Sequence, residues 1–391
     1  AVNYIQCDHG LQQESIQYEL PPMKVAVSRC QDYTTEISPA LKHLLDNLGG
    51  LEKFVSSGQK ALIKPNLLSD RTPGENVTTH PELVRALIRV LKEKGITPSV
   101  ADSPANAFKL DRVWKHTGFA DMCREEDVEL LNLESCGSEK FDDEGVVFSV
   151  ARPVLEADIV INVPKVKTHV LTIFTGAVKN MYGTLPGYQK TQLHKLKPSP
   201  REFGKLLLAV YNRTRPGLNI ADAVAGMQGD GPSSGKPVQL NFLAASEDGL
   251  ALDIALCDML GIRRGDVPYL AAARNNFPSL EYAGDAPGVL APAKFDAPGT
   301  LRGRLIPSPL VKLLAPFLWI RPAFNDRCVA CGLCSRACPV QAINVGKGSL
   351  PRLAPRLCIG CGCCNEICPS GAIVMTQSPL LNMVRKGGLQ S

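Results

Sequence analysis

Two cysteine runs constrain this chain more than anything else in it. Residues 328–339 read CVACGLCSRACP and residues 358–369 read CIGCGCCNEICP, so nine of the fourteen cysteines fall in two short stretches. Cys328, Cys331, Cys334 and Cys338, followed by Pro339, fit C-x2-C-x2-C-x3-C-P, and Cys358, Cys361, Cys364 and Cys368, followed by Pro369, fit it again. The copies are offset by thirty residues, and the match extends from QAI (341–343) to GAI (371–373), which marks an internal repeat. Disulfide scaffolds are the usual reading of many cysteines only in short secreted chains. Here the chain has 391 residues and its first twenty are polar, without the apolar stretch of a secretion signal. Reduced thiols that hold metal are the expectation.

Three thiolates on one tight loop can hold three irons of a cubane while backbone N–H groups face its sulfides. The paired runs resemble the bacterial two-cluster ferredoxin fold, in which the fourth cysteine of each run reaches across to the other cluster. That resemblance implies two 4Fe-4S clusters. One would be held by Cys328, Cys331, Cys334 and Cys368, the other by Cys358, Cys361, Cys364 and Cys338. Zinc is the competing reading, but it draws paired C-x2-C knuckles from well-separated segments. Cys363 is left over, because using it would break both neighbouring spacings.

The chain as a whole has an ordinary globular composition, 45% hydrophobic and 21% charged. The net charge of +5 is mild and comes without a Lys/Arg run or a basic-aromatic stripe, so small anionic ligands are expected and nucleic acid is not. The most apolar window, PLVKLLAPFLWI (309–320), is interrupted by Lys312 and Pro316 and is too short to cross a bilayer. No transmembrane segment and a cytoplasmic location are therefore expected; the oligomeric state is not legible.

From Met23 onward, short apolar strands alternate with amphipathic helices. Strands are expected at 24–29, 60–66, 97–103, 128–134, 158–165, 218–224 and 241–246, and a helix at 81–95 begins with Pro81 and stops at Gly95. This rhythm predicts an α/β fold: a mostly parallel sheet covered by helices, with a small α+β ferredoxin-like unit after it. The expected division is an extension outside the fold (1–22), an α/β domain (23–300), a linker or docking helix (301–320), the two-cluster unit (321–375) and a tail (376–391). Residues 183–200 and 226–237, rich in Gly and Pro, read as long loops.

Three stretches of the body, ALIKPNLLSDRTPGENVTTHPELVRAL (61–87), VINVPKVKTHVLTIFTGAVKNMYGTLPG (160–187) and DAVAGMQGDGPSSGKP (222–237), followed by DGLALDIALCDMLG (248–261), resemble the family called domain of unknown function 362. The K-P-N, P-K-x-K-T-H and K-N-x-x-G elements carry the likeness, over about residues 24 to 375. It implies a fold, a C-terminal two-cluster module and a site, but no particular reaction.

In a parallel sheet, ligands bind at the carboxyl ends of strands. Pro65 keeps the chain extended, so Lys64 and Asn66 should emerge together at one strand end. Lys165, Lys167 and His169 leave a second strand, and Lys179 and Asn180 follow on a short helix or turn. Neighbouring strands would bring these into one anion-binding pocket. A lone lysine at a strand end is usually just a solvated charge; the clustering argues otherwise. Lys64 and Lys167 are then candidates for stabilising charge that develops on reduction, and His169, with a pKa near neutrality, for giving a proton. His80 and His194 are further candidates, with helix capping the competing reading for His80. Gly229 and Gly231, in GMQGDGPSSG, could present N–H groups to an anion, although the loop is neither a Walker A nor a dinucleotide motif. No fingerprint indicates flavin. A divalent metal between Asp102, Asp222 and Asp253 competes with helix capping, the plainer account.

Three functions compete. In the first, an iron–sulfur oxidoreductase exchanges electrons with an external low-potential donor or acceptor such as a ferredoxin, and with an anionic small molecule in the Lys/Asn/His pocket. In the second, the chain is an electron-transfer component that docks to a partner enzyme. The third is a non-redox enzyme whose clusters are structural or sensing.

Overall fold

The computed structural model describes residues 22–379 apart from 105–109, 144, 188, 275–276, 278, 291–294, 299–318 and 347. Nearly all of the expected extension (1–22), most of the expected docking helix (301–320) and most of the tail (376–391) lie outside the described residues.

The first four strands are β1 (Met23–Arg29), β2 (Lys60–Pro65), β3 (Thr97–Asp102) and β4 (Glu129–Asn132). A separate hairpin, β5 (Ser138–Asp143) with β6 (Val146–Ala151), follows. Then come β7 (Ile159–Val163), β8 (Lys165–His169), β9 (Ile173–Thr175), β10 (Leu218–Gln228), β11 (Lys236–Ser246) and β12 (Leu280–Gly284). The main sheet runs β12-β1-β11-β10-β7-β2-β3-β4, with β8 and β9 branching from β10. From β10 to β4 every neighbour is parallel, and β12 is parallel to β1; β11 is antiparallel to both of its neighbours. The fold is α/β, with a mostly parallel sheet between helices.

Period-two alternation divides the core. Val25, Val27 and Leu62 pack on one face with Leu206, Leu207 and Val210 of helix Pro200–Thr214 and Leu252 of helix Gly249–Met259. Ala26, Ala61 and Ile63 point to the other face, against Leu41 and Leu44 of helix Ile37–Asn47 and Leu83, Leu87 and Leu91 of helix Pro81–Glu93. With both faces covered, β2 and β7 are buried along nearly their whole length, which is why they read as continuous apolar runs.

The two expected loops are more ordered than their composition implies. Residues 183–200 include the helix Gln189–Leu196 and the start of helix Pro200–Thr214. In the first of these only Leu193 and His194 are buried, so there is no apolar stripe to reveal it. In 226–237, β10 and β11 pair as far out as Gln228 and Lys236, leaving a short connection.

The cysteine region forms a small unit of its own. Strand β13 (Ile320–Phe324) pairs antiparallel with β16 (Ile373–Gln377), and β14 (Ile343–Asn344) with β15 (Arg352–Leu353). One helical turn, Leu333–Arg336, is matched at the repeat offset by another, Cys363–Glu366.

Candidate functional site

Strands β2 and β7 end side by side, with Pro65 opposite Val163. Pro164 then breaks the strand read at 158–165, and the chain resumes as β8, which leaves β7 to pair with β10 and β9. This departure opens a cavity of about 360 Å³ beyond the ends of β2 and β3, with Lys64, Asn66, Asp102, Lys167, His169, Lys179, Asn180 and His194 in its wall. Lys64 and Lys167 are each only 1% exposed, so neither is a solvated surface charge.

Most of these polar groups are already partnered. Lys64 Nζ lies 2.8 Å from Asp102 Oδ1, and Asp102 Oδ2 also accepts from the Leu67 N–H at 2.7 Å. This pair sits against Gly183, where a Cβ would come within 2.8 Å of both the ammonium and the carboxylate; that contact explains the glycine of K-N-x-x-G. Lys167 donates to Asn66 Oδ1 (2.9 Å) and to the Val77 carbonyl (2.6 Å). Asn66 donates in turn to Asn180, Asn180 to Asn162, and Asn162 to Asn219, so a chain of carboxamides runs from the cavity into the sheet. The two asparagines are spent on holding the lysine. Burial lowers the pKa of Lys64 and, with help from the Lys179 charge, pushes that of Lys167 well down.

Three groups in the wall are not satisfied. Among the described residues, Lys179 Nζ has no hydrogen-bond or ion-pair partner, and His194 Nδ1 and Thr175 Oγ1 are buried without one. Burial lowers the pKa of Lys179 and holds His194 down at about 4. His194 is stacked on Phe203 at 4.2 Å and edge-on to Tyr182 at 5.8 Å, which fixes its ring.

The roof of the cavity comes from the second cysteine run: Cys363, Glu366 and Ile367 line it, with Ala337 from the first run. Glu366 Oε1 lies 2.9 Å from His169 Nε2. His169 Nδ1 accepts from the Leu171 and Thr172 N–H groups, so the proton sits on Nε2 and is donated to Glu366. Burial and the nearby Lys179 charge lower the His169 pKa to about 3, consistent with a neutral ring. Burial alone would raise Glu366, but the His169 hydrogen bond and the Lys179 charge hold it below the usual carboxylate range. Asn365 adds a hydrogen bond to Ser234 Oγ in the β10–β11 connection (2.7 Å). Gly362, in the left-handed region at φ 84°, faces Val170, where a Cβ would stand 3.2 Å from the valine methyl.

The cysteines fall into two sets of four. Cys328, Cys331, Cys334 and Cys368 surround one small cavity, and Cys338, Cys358, Cys361 and Cys364 surround another. Each set takes one cysteine from the opposite run. Backbone N–H groups of Ala342 and Ala372 approach Cys338 and Cys368 Sγ at 3.1 and 3.3 Å. Among the described residues no group of three or more His, Cys, Asp or Glu is placed to hold a single metal ion. Four thiols around a cavity, with N–H donors to sulfur, fit a cubane rather than a point ion.

Several expected site residues lie elsewhere. Lys165 is fully buried but reaches Asp222 (3.0 Å) and the Tyr33 hydroxyl (2.9 Å), away from the cavity; the β8–β10 register shifts between Lys165 and Lys167. His80 caps helix Pro81–Glu93, accepting from the Glu82 N–H, and stacks on Tyr33 at 3.7 Å. The N–H of Gly229 goes to the Asp296 carbonyl and that of Gly231 to the Gly229 carbonyl and Thr168 Oγ1, so neither faces an anion. Asp102, Asp222 and Asp253 are apart, on Lys64, on Lys165 and on the N–H groups of Ala177 and Val178. Sequence reasoning passed over Thr175, Lys190, Glu134 and Glu366. Lys190, which bonds Ser103 and Glu134, sits on the helix that lacked a stripe. Glu366 lies inside a run read only for its cysteines.

The sequence profile of the family described as Domain of unknown function (DUF362) matches residues 61–258, just over half of the chain. This chain is a member of that DUF362 family. Residues 327–372 match the 4Fe-4S dicluster domain, so this DUF362 protein carries a ferredoxin-type unit behind its α/β domain. The Thylakoid-associated protein sll1697 of Synechocystis sp. (strain ATCC 27184 / PCC 6803 / Kazusa) is 33% identical over 251 residues, which covers 63% of this chain and 78% of that protein. Among solved structures, the lactate racemase apoprotein of Thermoanaerobacterium thermosaccharolyticum aligns with a TM-score of 0.41 at 14% identity. That alignment covers 60% of this chain and 56% of the other. Among the described residues no helix is long and apolar enough to cross a membrane.

Proposed function

We propose that this DUF362 protein is an iron–sulfur oxidoreductase that exchanges electrons with an anionic small molecule bound in the roofed cavity. The observation that carries this reading is the set of unsatisfied groups, Lys179 Nζ, His194 Nδ1 and Thr175 Oγ1, in one wall under a roof made by the cysteine unit. Buried hydrogen-bonding atoms without partners each cost about 1–3 kcal/mol, and a ligand bearing a carboxylate or phosphate would accept from Lys179 and complete the wall. When bound, two 4Fe-4S clusters supply one-electron steps, and a pair of them suits a two-electron reduction.

The chain's own groups divide the remaining work. Lys179 holds the anion, and Lys167, fixed by Asn66 and the Val77 carbonyl, stands beside it in the wall. Because burial makes the Lys179 ammonium more acidic and it has no other hydrogen-bond partner among the described residues, it is also placed to give a proton to charge that develops on the ligand. His169 has both ring nitrogens engaged, and its role becomes to orient Glu366 in the roof. A reducing cytoplasm is the working compartment this reading calls for, because the two four-thiol sets must stay reduced to hold clusters. The test is Lys179→Ala: it should keep the visible cluster absorbance while ligand-dependent oxidation of the reduced clusters slows by about a hundredfold or more. Unchanged oxidation would sink the assignment, and an electron-transfer adaptor would become the better reading.

A further inference from the structure

The cysteine unit has two ends. The set with Cys338, Cys358, Cys361 and Cys364 borders the roofed cavity, since Cys363 and Ala337 are chain neighbours of its members. The other set faces out: its Cys331 is exposed, and Val329, which lines the same small cavity, is 67% exposed. Leu350, beside the lining residue Pro351, is 52% exposed. Among the described residues, Leu357, Ile359 and Val374 of this unit are exposed as well, but Val329 is the most exposed of its large apolar side chains. Around this apolar centre stand Arg327, Arg336 and Arg352, all solvent-exposed.

Charge is lopsided across the unit. Residues 321–375 contain six Lys or Arg (321, 327, 336, 347, 352 and 356) against two acids, Asp326 and Glu366. Glu366 is turned inward to His169, so Asp326 is the sole acid left to the outer surface of that segment. Arginines serving only to offset buried thiolates would be buried beside them. These stand in solvent, where they meet an approaching protein first. An apolar centre with a charged rim is the anatomy of a transient protein interface, and the sign of the rim selects the partner.

We propose that the face around Val329, Cys331 and Leu350, rimmed by Arg327, Arg336 and Arg352, docks an acidic one-electron carrier protein. The carrier gives up one electron per encounter and leaves oxidised, and the acceptor would be the 4Fe-4S cluster that Cys328, Cys331, Cys334 and Cys368 would hold. Opposite charge speeds encounter by roughly ten- to a thousandfold at low salt, and the gain fades as the Debye length shrinks. The inference does not depend on what the cavity binds, so it can fail while the proposed function stands.

The test uses the full chain with both clusters, and stopped-flow bleaching of their absorbance. An acidic 2Fe-2S ferredoxin, reduced beforehand, is the protein donor, and photoreduced 5-deazaflavin is the small one. Arg327→Glu combined with Arg352→Glu should slow reduction by the ferredoxin about tenfold or more at low salt. Reduction by deazaflavin should not change, and the two proteins should converge near about 0.5 M salt, where screening acts within a few ångströms. Equal rates with the ferredoxin at low salt would overturn the proposal. Should the doubly reversed variant fail to hold its clusters, the unsubstituted protein decides: its rate with the ferredoxin must fall as salt rises, and a flat or rising rate overturns the proposal.

Discussion

Cys363 is the residue whose place changes most between sequence and structure. It belongs to neither set of four cysteines, yet it is buried, its thiol lies against Cys361, and its other side lines the roofed cavity near Lys179. A thiol beside a cluster ligand acts as a hydrogen-bond donor to sulfur, one of the levers that set cluster potential. Cys363→Ala should therefore retain the full iron and sulfide content, whereas Cys361→Ala should lose iron from one cluster. Iron and acid-labile sulfide counts on the purified variants check this, and loss of a cluster from Cys363→Ala would make Cys363 a ligand. The two sets of four cysteines were legible because their spacing is local: three of each four sit within seven residues of chain. Lys165 and Lys167, two residues apart, show the opposite case. Asp222 on β10 draws one away and Asn66 beyond β2 holds the other in the cavity, and no local pattern announces either partner.

At the scale of elements, the break at Pro164 falls inside the single strand expected at 158–165, whereas the end of β2 was readable because Pro65 keeps the chain extended there. The helix Gln189–Leu196 was not, since periodicity needs an apolar stripe and this helix has almost none. Helix Pro81–Glu93 makes a pH prediction. Its cap, His80, is packed on Tyr33 and faces Asp222 and Lys165, and the Glu82 N–H needs its Nδ1 as an acceptor. Burial lowers the His80 pKa to about 4, while the Asp222 charge opposes that shift and the Lys165 charge adds to it. The folded value lies below the unfolded one, so the unfolded chain takes up the proton first. The stability from this group is full above about pH 6.5 and is lost as pH falls toward 4, with a limiting slope of about 1.4 kcal/mol per pH unit. Denaturant midpoints between pH 7 and 5 should fall, and His80→Gln should flatten the decline. An equal decline in the variant would contradict the assignment.

For the whole molecule, the decisive fact is that the cavity is shared. Its wall comes from the strand ends of the DUF362 domain and its roof from the second cysteine run, joined by His169–Glu366 and Ser234–Asn365. A wall with an ammonium that has no hydrogen-bond partner among the described residues, under a roof beside four thiols, is what the proposed exchange of electrons with an anion rests on. The most direct measurement is to purify the protein without oxygen, release its small molecules and identify them by mass spectrometry, then return them to the reduced protein while following cluster absorbance. The account predicts an anionic molecule that is retained by the parent chain, lost from Lys179→Ala, and able to oxidise the reduced clusters when added back. A molecule retained equally by Lys179→Ala, or one whose return leaves the clusters reduced, would contradict it.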